Sequence, residues 1–424
     1  MFVYVLDQNG QPLMPTTRFG KVRRLLKEGK ATVVKCCPFT IKLNYEPETH
    51  VVQEIVLGVD TGSKNVGASC ISNGKVLYQS ETRLCGDRIK AKMTNRRNSC
   101  RNRRSRKTRY RKARFLNRRN SIKKDRLPPS VRHKVQAHID EIEFCKKILP
   151  VSKIVLEVSQ FDTHLMKNSS LISEKVKHWG YQKGFNYEFS SRRDAILHRD
   201  QYKCQLCNMK NTKLEVHHII YRSKGGTDDE NNLITLCSSC HNKIHSENMV
   251  LDKKPKKMQL RHATHMSIIR SQLLKQYPYA HETFGFITKE NRHRLNLSKH
   301  HYIDAGVIAS GGNSFKLNDE IFYKRRVSKG DYKLCNGSRG EKALPTGKIL
   351  GFRKFDKVSY FGNKYFIKGR MSSGNAILMD IFNNKIDFSY LPKGLKTPKM
   401  SNLIKISARG AVLCTSQKIT QSIF

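Results

Sequence analysis

Two cysteine pairs, Cys204-x2-Cys207 and Cys237-x2-Cys240, supply four thiolates at the spacing of a closed tetrahedral zinc site. The 29 residues between the pairs exceed the usual zinc-ribbon spacing, so something is inserted there. The insert carries histidines. His217 and His218 sit side by side at the end of an expected strand, where adjacent side chains face opposite ways. One can hold a metal while the other meets a reacting group. Asn232 precedes the apolar stretch LITL. His241 and His245 are four apart, which puts both on one face of an expected helix. With Mg2+ (or Mn2+) bound, such a set polarises a phosphate, and a neutral imidazole accepts a proton from water near pH 7.

The order His-His, Asn, His-x3-His, framed by two CxxC pairs, resembles the ββα-metal unit of HNH nucleases. In that reading His218 is the general base, and Asn232 orients it or supports the metal site. His217 and His241 are ligands, and His245 is either a third ligand or a helix cap. A second constellation is acidic. Asp60 ends the strand LGVD, and Glu157 lies in IVLEVSQF. His301 and Asp304, in HHYIDA, share a helical face. One acid at a strand end is usually a cap. Three oxygen ligands from separate apolar segments resemble a two-metal nuclease, whose ions sit about 4 Å apart and activate water and stabilise the leaving oxygen. His301 would help activate water or shuttle its proton.

Several elements must position these residues. VYVLD, ATVV and FTIKLNY read as strands around an amphipathic helix from Arg18 to Gly29. EIVLGVDTG is an apolar strand, and GASCIS and KVLYQSE form a hairpin turning at Asn73-Gly74. Residues 88–126 hold 19 Lys/Arg in 39 positions with one acid, Asp125, and Pro128-Pro129 closes the run. A helix of that length spans about 58 Å. Val131, Val135, Ile139, Ile142 and Ile148 recur at helical spacing. VSKIVLEVSQF is a second buried strand. A helix is expected from about Gln259 to Gln276, a strand at FGFIT, and a helix at LSKHHYIDAGVIAS. The region beyond is glycine-rich and β-like.

The chain has 424 residues, enough for two to four compact units, and 81 Lys+Arg against 34 Asp+Glu give +47. Such a charge repels itself unless a polyanion neutralises it, so nucleic acid is the first expectation. At 38% hydrophobic the chain still buries cores and is no disordered basic tail. No run of about 18 apolar residues suggests a membrane span. Asp7 comes too early for a secretory signal, and twelve cysteines in this length are no dense disulfide framework. The expectation is a reducing, cytoplasmic compartment, bacterial or organellar.

LGVDTG, an Arg-rich helix, VLEVSQF, an HNH unit and HHYIDA, with PLMPTT near the N-terminus, follow the order of a split RuvC nuclease. Over essentially its full length the chain resembles the IscB family, insertion-sequence-encoded relatives of the CRISPR type II effector nucleases. The resemblance implies an α/β fold with an RNase H-like (RuvC) core split in three. It implies an N-terminal PLMP module (1–50), RuvC part I (51–87), an Arg-rich bridge helix (88–127), and RuvC part II with a linker (128–187). An HNH domain with its zinc site (188–252), RuvC part III (253–328) and a C-terminal β-rich domain (329–424) follow. The last is the candidate for RNA binding and for reading a target-adjacent motif.

The same resemblance implies two Mg2+ ions at Asp60, Glu157 and Asp304, and one at the HNH histidines His217, His241 and His245. Zn2+ would sit at the four cysteines. Bridge-helix arginines Arg96, Arg97, Arg101, Arg103, Arg104, Arg106, Arg109, Arg111, Arg114, Arg118 and Arg119 would contact RNA phosphates. The partners implied are a structured guide RNA (ωRNA) and double-stranded DNA, in a monomeric ribonucleoprotein. The activity implied is RNA-guided cleavage of both DNA strands, HNH cutting the guide-paired strand and RuvC the displaced one. The alternatives are an unguided or structure-selective HNH/RuvC nuclease, or a non-catalytic RNA-binding protein.

Overall fold

The computed structural model describes residues 2–47, 52–105, 126–159, 161, 166, 189–210, 212–224, 226, 228–246, 260–327, 347–392 and 395–419. The chain divides into two units: Met1–Gln160 with His265–Phe424, and Phe161–Thr264. The first unit is therefore discontinuous in sequence.

The first unit opens with β1 (Tyr4–Leu6), α1 (Phe19–Lys27), β2 (Ala31–Cys36) and β3 (Phe39–Leu43). The strands lie in the order β1-β3-β2, over a small core of Val3, Val5, Val22, Ile41 and Leu43. Next come β4 (Val56–Asp60), β5 (Asn65–Ser72) and β6 (Lys75–Arg83), an antiparallel meander. Asn73 and Gly74 both take positive φ at the β5–β6 turn (46° and 68°), as a tight two-residue hairpin requires. α2 (Gly86–Ser105) is the described start of the arginine-rich segment; residues 106–125 lie outside the described residues. α3 (Pro129–Ile148) begins at a proline, whose missing N–H would have had no intrahelical partner, and β7 (Lys153–Glu157) follows.

The second unit contains α4 (Arg192–Arg199), β8 (Leu214–His218), β9 (Leu233–Cys237) and α5 (Ser238–Ser246). The Ser191 hydroxyl accepts from the Asp194 N–H and caps α4. At the other end of that helix, Asp200 accepts from the Thr235 N–H at 2.9 Å and Arg199 donates to the Leu233 carbonyl at 2.9 Å, tying α4 to β9. β8 and β9 pair antiparallel. The result is two strands followed directly by a helix.

The chain then forms α6 (Arg261–Gln276), β10 (His281–Thr283), α7 (Gly285–Arg294), α8 (His301–Ser310) and β11 (Glu320–Arg326). β12 (Lys357–Tyr360), β13 (Asn363–Arg370), β14 (Ala376–Met379), β15 (Ile404–Ser407) and β16 (Val412–Lys418) complete it. One strand expectation fails. FGFIT is not a strand: β10 ends at Thr283, Phe284 is extended, and a helix starts at Gly285. A short apolar run does not discriminate strand from helix, and Phe286 is 69% exposed, so it serves no core.

The large sheet of the first unit has the order β10-β7-β4-β5-β6-β11-β16. β7 and β10 run parallel to β4, and β11 runs parallel to β6. β16 pairs antiparallel with β11, so the C-terminal region returns to this sheet instead of closing on itself. α8 lies on β4 and β5, at a separation only glycine permits. A Cβ at Gly58 would stand 2.2 Å from the Ala305 carbonyl oxygen, and one at Gly67 would stand 2.0 Å from that of His301. β12–β15 form a separate four-stranded sheet, order β14-β13-β12-β15, with its own core around Val358, Ile367 and Leu378.

Candidate metal centres

In the second unit the four cysteine sulfurs lie within 4.8 Å of one another. Cys207 Sγ and Cys237 Sγ are 3.7 Å apart, and the Cys240 N–H points at Cys237 Sγ (3.4 Å). Burial opposes ionisation of Cys204, yet backbone N–H donors from Cys207, Cys237 and Leu206 bring its thiol down to about 6. Burial and the neighbouring thiols push Cys240 up to about 12. Four thiols so close cannot all ionise without a cation among them. The donor set therefore fits Zn2+.

The three histidines His217, His241 and His245 form a second cluster, their ligating nitrogens also within 4.8 Å. β8 supplies His217 from below and α5 supplies the other two, one turn apart. The ring centroids are 5.0, 5.1 and 4.7 Å apart. Burial first, then the neighbouring imidazoles, pulls His217 down to about 4, so it is neutral and able to ligate. Glu215 Oε2 lies 2.8 Å from His241 Nδ1, which leaves Nε2 of that ring for the cluster. This converging set of ring nitrogens fits a divalent ion.

His218 points away from that cluster, as strand alternation demands. Its Nε2 is 2.8 Å from Asp228 Oδ1, which also accepts from Arg222 Nε at 2.8 Å. Asn232 does not reach His218. Its side-chain oxygen accepts from the Ile220 N–H at 2.9 Å and its amide donates to the Ile220 carbonyl at 3.0 Å. It pins the loop that leaves the histidine strand.

The first unit gathers the acids. Asp60 and Glu157 are directly opposed on the parallel neighbours β4 and β7. α8 brings His301 and Asp304 over them. His301 Nδ1 is 2.6 Å from Asp60 Oδ2, and its Nε2 is 3.2 Å from the Asn65 side-chain amide. Arg292 Nε stands 2.9 Å from Asp304 Oδ1. Burial, then Asp60, pushes Glu157 up to about 7. Burial and Asp60 also raise Asp304, while the Asp60 hydrogen bond raises His301. Three crowded carboxylates, of which Glu157 and Asp304 are pushed up, are a site that cations would relieve, and the oxygen-rich donor set fits Mg2+.

Of the basic helix, α2 carries Arg96, Arg97 and Arg101 exposed to solvent, and Arg103 and Arg104 near its end. Arg106, Arg109, Arg111, Arg114, Arg118 and Arg119 lie outside the described residues.

Residues 3–184 match the family described as RRXRR protein, and residues 204–247 match the HNH endonuclease family. The second match spans both metal clusters of the second unit. The chain is an IscB/Cas9-like HNH nuclease.

Relatives of this nuclease overlap it in parts. Anaredoxin of Nostoc sp. (strain PCC 7120 / SAG 25.82 / UTEX 2576) is 36% identical over 66 residues, which are 16% of this chain and 87% of that protein. The type IV methyl-directed restriction enzyme EcoKMcrA of Escherichia coli (strain K12) is 38% identical over 58 residues, 12% of this chain and 21% of that enzyme. A crystal structure of Streptococcus thermophilus Cas9 in complex with the AGAA PAM aligns with a TM-score of 0.34 at 11% identity. That alignment covers 57% of this chain and 32% of Cas9. The nuclease thus spans about a third of Cas9 and a fifth of the restriction enzyme.

Glu215, Asp228 and Asn65 escaped sequence reasoning. Glu215 had a signal, since it stands two before His217 on the same strand face. Asp228, in an acidic loop without periodicity, had none.

Proposed function

We propose that this nuclease is an RNA-guided DNA endonuclease. It would bind double-stranded DNA complementary to a structured guide RNA beside a short adjacent motif, open an R-loop and cut both strands. The observation that carries this reading is a pair of candidate metal centres of different chemistry, one of imidazoles and one of carboxylates, in a chain that also carries an arginine-rich segment. Two centres suit two strands. The charge of +47 suits a large polyanion that stays bound.

The strand order β6-β5-β4-β7-β10, a meander flanked by two parallel strands, supports an RNase H-like (RuvC) core. In that core Asp60, Glu157 and Asp304 would hold two Mg2+ ions. In the HNH unit His217, His241 and His245 would hold one. When bound, these ions supply Lewis-acid polarisation of the scissile phosphate and stabilise the leaving 3′ oxygen. The remaining work falls to the chain. With Asp228 accepting from Nε2–H, the His218 Nδ1 lone pair is free to take a proton from water attacking the guide-paired strand. In the carboxylate centre Asp60 accepts from Nδ1–H of His301 and Asn65 occupies Nε2. Asn65 must therefore yield before His301 can receive a proton there. Arg96, Arg97 and Arg101 would meet guide-RNA phosphates. In the small C-terminal sheet, Arg370 donates to the Gly347 and Phe352 carbonyls, which leaves Arg353 the better placed to meet the adjacent motif.

The test is cleavage of a duplex labelled separately on each strand, by protein purified with RNA from its own locus. D60A should abolish the displaced-strand cut alone, and H218A the guide-paired cut alone, each by at least about 10^3-fold. If complementary DNA is cut no better than unrelated DNA, the guided reading is wrong.

A further inference from the structure

We infer that a cavity beside the carboxylate centre seats one base of the displaced DNA strand and prefers a base bearing an exocyclic amine. The inference rests on the proposed assignment of that centre to the displaced strand.

One row crosses the large sheet: Glu157, Asp60, Gly67, Glu81 and Tyr323, each directly opposite the next on adjacent strands. Opposed residues share a face, so Glu81 and Tyr323 lie on the same side as the carboxylates. Gly67, without a side chain, is the gap where the His301 backbone closes down. The next row on that face is Asn65, Arg83 and Arg325. At about 4.8 Å per strand, Tyr323 stands roughly 14 Å from Asp60 along the sheet. One nucleotide chain can reach both.

Glu81 and Tyr323 of the first row and Asn65, Arg83 and Arg325 of the second line a cavity of about 240 Å3, with Phe382 also in its wall. The Phe382 ring meets Tyr323 edge to face, with centroids 5.3 Å apart, and is itself 39% exposed. Such an aromatic corner offers a stacking face to any base. Cations crowd its rim. Lys64, Arg83 and Arg325 line it beside a single acid, Glu81, and burial, then Arg88 and Arg83, depresses the Arg325 guanidinium. A backbone phosphate would balance these cations. Asn65 joins the cavity to the reaction centre, since its amide is the one that contacts His301.

Glu81 gives the cavity its selectivity. Its carboxylate makes no hydrogen bond or ion pair among the described residues. It is acceptor-only, so it matches the N4 amine of cytosine or the N6 amine of adenine and opposes the O4 carbonyl of thymine. Glu81 and Phe382 are thus specificity-determining residues, and neither belongs to the metal-binding set.

Two measurements test this. The first places a single 2-aminopurine at successive positions of a short single strand and reads its fluorescence on mixing with the full-length protein–RNA complex. Quenching should occur at one register and be lost in F382A. The second compares displaced-strand cutting of duplexes carrying cytosine or thymine at that register. The wild type should favour cytosine about tenfold, and E81Q, whose amide can donate or accept, should bring the ratio near one. The guide-paired cut in the same reaction should not change in either variant. Quenching at no register, quenching that survives F382A, or a cytosine preference untouched by E81Q would overturn the proposal. Should the wild type fail to cut the displaced strand, the assignment of the carboxylate centre fails, while the fluorescence result still decides whether the cavity holds a base.

Discussion

Glu157 shows how one residue carries both a cost and a function. Its carboxyl is pushed up to about 7, mainly by burial and secondarily by Asp60. A raised folded-state value means that the protonated form suits the fold. The contribution is full below pH 4.5 and is lost as pH rises through about 7. His301 and Asp304 are also raised, so they act in the same direction. His133 and His138, held down to about 4 by burial, act oppositely: they stabilise above pH 6.5 and lose that contribution as pH falls towards 4. Metal-free protein should therefore lose on the order of 2 kcal/mol between pH 5 and 8 through Glu157 alone, after discounting for its partial exposure. E157Q should flatten that limb in EDTA and leave the acid limb intact, as denaturant melts across pH would read. An unchanged slope would mean that Glu157 is not the strained acid. At this scale the sequence was informative about donors and poor about their supports. Cys204 and His241 announced themselves by spacing. Asp228, which holds His218, lies in a loop where no period predicts what a carboxylate meets.

The elements explain why those donors converge. α8 can bring His301 and Asp304 to Asp60 only because Gly58 and Gly67 let the helix backbone rest on the sheet. G67A should force the His301 carbonyl, and with it the ring above Asp60, away from the strand. Overpacking of this kind costs about 1–3 kcal/mol. The expected result is a fall of that size in the stability of the first unit, with the displaced-strand cut reduced at least tenfold and the guide-paired cut retained. Loss of both cuts in a folded protein would mean that the helix position serves something other than the carboxylate centre. Most elements were legible from pattern: the Asn73-Gly74 hairpin, the buried strand around Glu157, the apolar helix after Pro129. FGFIT was not, because Phe and Ile favour strands in isolation, while the polar residues after it complete a helix. The adjacency of Gly67 to His301, 234 residues away in the chain, has no local signature at all.

At the scale of the molecule, the two units differ in what holds them together. The first buries a broad apolar core on the face of its large sheet opposite the carboxylates, including Leu57, Val59, Ile142, Leu156 and Ile269. Among the described residues of the second, one cluster is built of Cys204, Ile234, Leu236, Cys237 and Ile244, and two of these five buried members are themselves zinc ligands in the proposed site. Interruption of the first unit by the second follows from the order of motifs, but the dependence of the second on its metal follows from ligands that are themselves part of its core. A structural zinc site contributes about 10–16 kcal/mol in small domains. Removing zinc, by chelation or by C204S with C237S, should therefore unfold the second unit alone. Calorimetry should show one transition lost and the other kept at its original temperature. Cleavage should lose the guide-paired cut and keep nicking by the carboxylate centre. A single shared transition that disappears with zinc would instead make the units one cooperative body. In that case the cysteine cluster would stabilise the carboxylate centre as well, and independent control of the two cuts would be excluded.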